Sequence, residues 1–129
     1  MKLATTLRQR LASDESGFTL IELLVVLVII GILLAIAVPS YLGFKDRANN
    51  RAAQADVREA VPSAEAYYSD NGYYTNLSVG ALKAIDSGLS SAVSVVSAGT
   101  SAYCLHANVG GKDAYFAGPG GTVTSTACT

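Results

Sequence analysis

Between Phe18 and Val38 lie 21 consecutive residues, of which only Thr19 and Glu22 are polar. A helix rises roughly 1.5 Å per residue, so this run spans about 31 Å, enough to cross the hydrocarbon core of a bilayer. A secretory signal peptide carries a shorter apolar stretch of roughly 7–15 residues, followed by a small-residue cleavage site. Here the run is longer, and no Ala-x-Ala site follows it. Ahead of it stand Lys2, Arg8 and Arg10, then Asp14 and Glu15. Because the basic residues precede the run, the positive-inside rule puts the N-terminus in the cytoplasm and everything after Pro39 outside.

The remainder of the 129-residue chain is rich in Ala, Ser, Gly and Thr and poor in large aliphatics. That leaves room for one small domain beyond the apolar run. Nine Lys plus Arg stand against ten Asp plus Glu. Near-neutrality with no basic patch gives no electrostatic footprint for nucleic acid, so no direct nucleic-acid binding is expected. Both cysteines, Cys104 and Cys128, fall in the last third. Behind a membrane segment they point to a disulfide in an oxidising compartment; the alternative is two free thiols in a reducing one.

Glu22 is the anomaly of the apolar run. An ionised carboxylate in hydrocarbon is costly unless paired or neutralised. It is either a helix-end carboxylate near the lipid interface or a group awaiting a positive partner. The surrounding residues carry a resemblance. Gly17-Phe18-Thr19-Leu20-Ile21-Glu22, continued by the apolar run to Leu33, resembles the prepilin motif of type IV pilins and type II secretion pseudopilins. The likeness covers a leader and a helix, roughly the first half of the chain. It implies cleavage after Gly17 by a prepilin peptidase and N-methylation of the new amine on Phe18. That amine would then be the partner of Glu22 in assembly, within one subunit or between neighbours. The leader is longer than is usual for pilins whose mature chain starts with Phe, and it carries acidic residues close to the cut.

Beyond the run, Pro39 is expected to kink the helix, because proline removes a backbone donor. Tyr41, Phe44, Ala48, Ala52 and Ala55 recur at spacings of three and four and are expected to form one packing face. Helix is expected from about Phe18 to about Ser69, with a second bend near Pro62 and a stop at Asn71-Gly72. Four segments follow: leader 1–17, transmembrane or filament-core helix 18–38, amphipathic continuation 39–71 and a small extracytoplasmic region 72–129.

From Thr75 the pattern changes. Leu77–Ile85 reads as a short helix or turn. Ser94–Ser97, Tyr103–Val109, Ala114–Ala117 and Thr122–Thr126 read as short strands, with turns at Gly110-Gly111 and Gly118-Pro119-Gly120-Gly121. The fold class is therefore α+β, a long N-terminal helix packed on a small C-terminal antiparallel sheet. His106, the sole histidine, is expected on a sheet face rather than in a catalytic triad, since no nucleophile-elbow motif accompanies it. No zinc-ligand spacing or phosphate loop is present. Asp70, Asp86 and Asp113 are expected to be solvated loop carboxylates rather than a calcium site. The tyrosines are expected at helix–sheet packing and its rim. No catalytic residue, cofactor or metal is expected.

The resemblance implies a structural pilus subunit that forms a homopolymer. It would wait in the inner membrane, be processed by the prepilin peptidase, and be polymerised by an assembly ATPase acting through a platform protein. The product would be a cell-surface or periplasmic filament. A major pseudopilin of a type II secretion or DNA-uptake machine is the alternative within the family. A single-pass anchored protein with an exterior binding or catalytic domain is the competing class. For that reading, Glu22 and the Gly17–Phe18 junction would be coincidences.

Overall fold

The computed structural model describes residues 17–129, so the expected leader lies outside the described residues except for Gly17. The chain divides into two units, one ending at Tyr41 and one running from Leu42 to Thr129. Helix α1 (Leu20–Asn71) has 52 residues. It begins two residues after the expected start, because Thr19 caps it. Every residue from Gly17 to Ala48 is exposed, including Leu20 at 81% and Ile36 at 68%. Among the described residues α1 is the one helix long and apolar enough to cross a membrane. It continues through both Pro39 and Pro62. Each proline withholds an N–H from the carbonyl four residues earlier, at Ala35 and at Arg58.

In the second unit, α1 buries Ala53, Val57, Ala60, Ser63 and Ala64. This corrects the expected face. Tyr41, Phe44, Ala48 and Ala55 are exposed and Ala52 is only half-buried. At about 3.6 residues per turn, the packed stripe is turned by about a third of the circumference from the expected one. The alanine-rich stretch Ala52–Ala55 satisfies either phase. Val57, the one branched aliphatic between Lys45 and Ala60, decides it by going into the core. The helix ends where Gly72 turns left-handed (φ 77°) and its N–H donates to the Tyr68 carbonyl at 2.7 Å.

Helix α2 (Val79–Ile85) is capped by Ser78, whose side chain accepts from the Ala81 N–H, and it inserts Leu82 into the core. Strands β1 (Val93–Ala98), β2 (Tyr103–Val109), β3 (Lys112–Gly118) and β4 (Val123–Thr124) follow in chain order as an antiparallel sheet. The strands start and stop within three residues of the expected limits. Between Val95 and Ser97 the β1–β2 register shifts, leaving Val96 out of the ladder. The expected Gly110-Gly111 turn is present with both residues at positive φ, 56° and 79°, as a tight two-residue hairpin requires.

Alternation along β2 sets the two faces. Tyr103, Leu105 and Ala107 point inward and meet Phe116 and Ala114 of β3 against Ala53, Val57, Ala60 and Ala64 of α1. Cys104, His106 and Asn108 take the outer face. The Cys104–Cys128 disulfide is formed, with 24 residues separating the two cysteines in sequence. Since β4 adjoins β3 and Cys104 belongs to β2, the tail after Thr124 crosses β3 on the outer face and buries Cys104. Closing that loop stabilises the fold by about 3 kcal/mol in the chain-entropy view. Replacing both cysteines by serine is expected to lower the thermal midpoint of the detergent-solubilised chain accordingly, read by circular dichroism. An unchanged midpoint would show that the tail crossing contributes nothing.

Candidate assembly site

The start of α1 is built from a reciprocal pair. The Thr19 N–H donates to Glu22 Oε2 at 2.8 Å, and the Glu22 N–H donates to Thr19 Oγ1 at 3.4 Å. The Leu23 N–H donates to the Thr19 carbonyl at 3.3 Å, the first turn of the helix. This is a capping box: the threonine at the cap and the glutamate three residues on satisfy each other's backbone donors. The Thr-x-x-Glu spacing that signals it stands in the sequence, though the apolar run draws attention to the charge of Glu22 instead. The carboxylate therefore lies in the first helical turn, at the positive end of the helix dipole, and already accepts a hydrogen bond from its own chain. Among the described residues no cation pairs with it. Phe18, 83% exposed, stands directly before the cap.

Comparison with known proteins bears on this segment and on the domain behind it. The family model of the prokaryotic N-terminal methylation motif matches residues 12–38. The type IV wide pilus major component of Thermus thermophilus is 39% identical over 109 residues, 81% of each chain. The chain belongs to the type IV pilin and pseudopilin family. Type II secretion system core protein G of Escherichia coli is 35% identical over 71 residues, covering 55% of this chain and 49% of that protein. The type IV major pilin of Myxococcus xanthus is 37% identical over 60 residues, covering 46% of this chain and 27% of that pilin.

The junction Gly17–Phe18, the cap at Thr19 and the carboxylate of Glu22 lie together within six residues. Pro39 stands inside α1, well removed from it, and Cys104 and Cys128 lie in the sheet domain. The three carboxylates weighed for calcium are engaged separately. Asp70 lies near the end of α1, Asp86 accepts from the Gly88 N–H, and Asp113 is held on β3. Among the described residues no three His, Cys, Asp or Glu side chains gather closely enough to hold a metal ion.

The outer sheet face does bring a serine, a histidine and an aspartate together. Ser94 Oγ lies 3.1 Å from His106 Nδ1, and His106 Nε2 lies 2.7 Å from Asp113 Oδ1. Asn108 also donates to Asp113 Oδ1, at 2.8 Å. These residues sit on three adjacent strands, and Ser94 is the direct cross-strand partner of His106. The contacts brace β1, β2 and β3 on a face carrying half-exposed side chains. Sequence spacing could not reveal them, because the strand register brings them together.

Two expectations follow from these geometries. Thr19→Val removes the hydroxyl of the box, a loss of about 1 kcal/mol at a helix start. Amide exchange of Leu20–Leu23 in micelles should quicken roughly fivefold by that amount, and unaltered protection would refute the cap. Asp113 is held below the usual carboxylate range, first by the Asn108 hydrogen bond and then by that of His106. Its ionised form is favoured in the fold, so its contribution is complete above the ordinary value of 3.8 and vanishes as pH falls through the lower folded value. Acidification to about pH 2 should therefore lower the thermal midpoint of the unaltered protein by a little more than that of Asp113→Asn. Parallel curves would contradict the shift.

Proposed function

We propose that this chain is the structural subunit of a type IV pilus, processed after Gly17 and polymerised through its N-terminal helix. One observation carries the pilus reading over its alternative. The likeness to the Thermus wide-pilus component extends over 81% of both chains and so takes in the exterior domain. The likeness to the secretion core protein covers about half of each. A major pseudopilin of a secretion or DNA-uptake machine is the second reading, favoured only by that shared helix.

The mechanism follows from the physics of the site. In this reading, residues 18–38 hold the precursor in the inner membrane with residues 72–129 outside, and residues 39–71 continue the helix between them. Cleavage at Gly17–Phe18 by a prepilin peptidase removes the basic leader and leaves an α-amine on Phe18, which methylation keeps cationic. The new charge arises one residue before the Thr19 cap, beside a carboxylate that no cation pairs with among the described residues. Pairing of that amine with Glu22, in the same or the neighbouring subunit, fixes axial register, because an unpaired charge in an apolar bundle is strongly disfavoured. Lipid tails are as apolar as the helices, so packing complementarity and this pair, rather than a hydrophobic force, select the bundle. Pro39 is the point at which the helix loosens during packing. A platform protein and its ATPase extract the subunits. The role is structural, with no catalytic group involved.

Mass and N-terminal analysis of sheared surface material tests the reading. The expected species begins at N-methylated Phe18. Gly17→Val should leave the chain uncut. Glu22→Ala should be processed yet yield at least about tenfold less filament, as the loss of a partner for a buried charge implies. Processed protein confined to membranes would favour the pseudopilin alternative. A chain still beginning at Met1 in cells with an active peptidase would promote the simple membrane anchor.

A further inference from the structure

Beyond Tyr41 the charges of α1, Asp46 excepted, fall on two separate edges. At about 100° per residue, Arg47, Arg51 and Arg58 lie within about 40° of one another, and Asp56, Glu59 and Asp70 within about 60°. The two edges flank the stripe of Ala53, Val57, Ala60 and Ala64 that packs on the sheet, one on either side. Arg47, Arg51, Arg58, Glu59 and Asp70 are all exposed, and none forms a salt bridge among the described residues. Arg47 and Arg51 line a groove with Asn50, Gln54, Asp46 and Lys112, in which Lys112 is tied to Asp46 at 3.5 Å. Other charges on the helix leave the edges distinct. Glu65, which falls on the basic side, accepts hydroxyls from Tyr74 and Tyr103. Lys45, on the acidic side, sits about 16 Å along the axis from Asp56.

Opposite charges on different edges set the kind of contact this surface can make. An isologous dimer can pair the basic edge of each copy with the acidic edge of the other, but it closes at two copies and cannot extend into a filament. A head-to-tail contact places the basic edge of one copy on the acidic edge of the next, and a repeat that does not close generates an open helical polymer. A polyanion would use the arginines but leave the acidic edge without a role, and would meet Asp46 in the groove.

We propose that Arg47, Arg51 and Arg58 of one copy seat against Glu59 and Asp70 of a second copy, an inference that rests on the filament reading above. The pairing sets which neighbour each domain meets, since charge complementarity acts on register and partner choice. The test is a charge swap in the full chain in cells. Sheared filament is measured against the membrane pool of subunits beginning at Phe18. Arg51→Glu and Glu59→Arg should each lower filament yield about tenfold, and the double swap should restore it to within about threefold, the signature of a coupled pair. Normal yield in both single variants overturns the pairing, as does a double variant no better than either single. Where a reversal depletes the membrane pool, Arg51→Cys combined with Glu59→Cys replaces it. Covalent ladders in the filaments support the contact, and their absence overturns it. Absence of any polymer from the unaltered chain sinks the filament reading, and this pairing with it.

Discussion

Among the described residues, none covers the apolar part of α1. From Gly17 to Ala48 no residue is buried, and most of these side chains are Leu, Ile and Val. Apolar surface on that scale is not left against water, so lipid or other helices of the same kind must enclose it. The rest of the molecule is consistent with that demand. A helix starting in apolar surroundings has to satisfy its first N–H groups from within, and the Thr19–Glu22 box satisfies two of them, those of Thr19 and Glu22. The single carboxylate kept in the run stands at the turn where the helix dipole favours an anion. Thr19 and Glu22 are the only polar side chains in the run, and both belong to that one device.

The second unit solves the opposite problem, a sheet too small and too poor in large aliphatics to be stable alone. The helix supplies the missing layer with alanines, which let the sheet come close, and with Val57 at the centre. Polar ties fix the seam at its margins. Ser90 donates to Asp56 at 2.9 Å, and Tyr74 and Tyr103 donate to the two oxygens of Glu65 at 2.9 and 2.8 Å. Burial, reinforced by Glu65, pushes the Tyr74 hydroxyl up to about 12 and that of Tyr103 higher still. Both phenols therefore remain protonated donors at neutral pH. Ring contacts at 4.6 and 4.5 Å carry the packing from Tyr68 through Tyr74 to Tyr103.

Much of this was legible before any coordinates. The length of the apolar run gives the helix, and Asn71-Gly72 gives its end. The Gly110-Gly111 pair gives the hairpin, and period-two alternation gives β2. What the sequence hid follows a pattern. The packed face of α1 was misread because alanines at 52, 53, 55 and 60 fit two helical phases equally, and only contact with the sheet separates them. The Cys104–Cys128 bond was expected, but the path of the tail across β3 depends on strand order, and so does the Ser94–His106–Asp113 brace. Periodicity reports which face a residue takes along its own strand, and is silent on which residue of another strand stands beside it. The capping box was legible as Thr-x-x-Glu but masked by its setting, since caps are sought at polar helix starts.

A single helix thus presents three kinds of surface by changing its character along its length and around its circumference. Below Val38 it is apolar all round, which suits lipid or identical helices and gives no preferred direction. Above Phe44 one stripe is committed to the sheet, and its charged residues are divided between two flanking edges. That division matters because paired charges fix register and partner choice more sharply than apolar packing does. In the proposed filament, directional contacts come from charge, at Glu22 or along the edges from Arg47 to Asp70. In the filament proposed above, apolar packing holds the subunits together and the charges of α1 narrow the choice among arrangements.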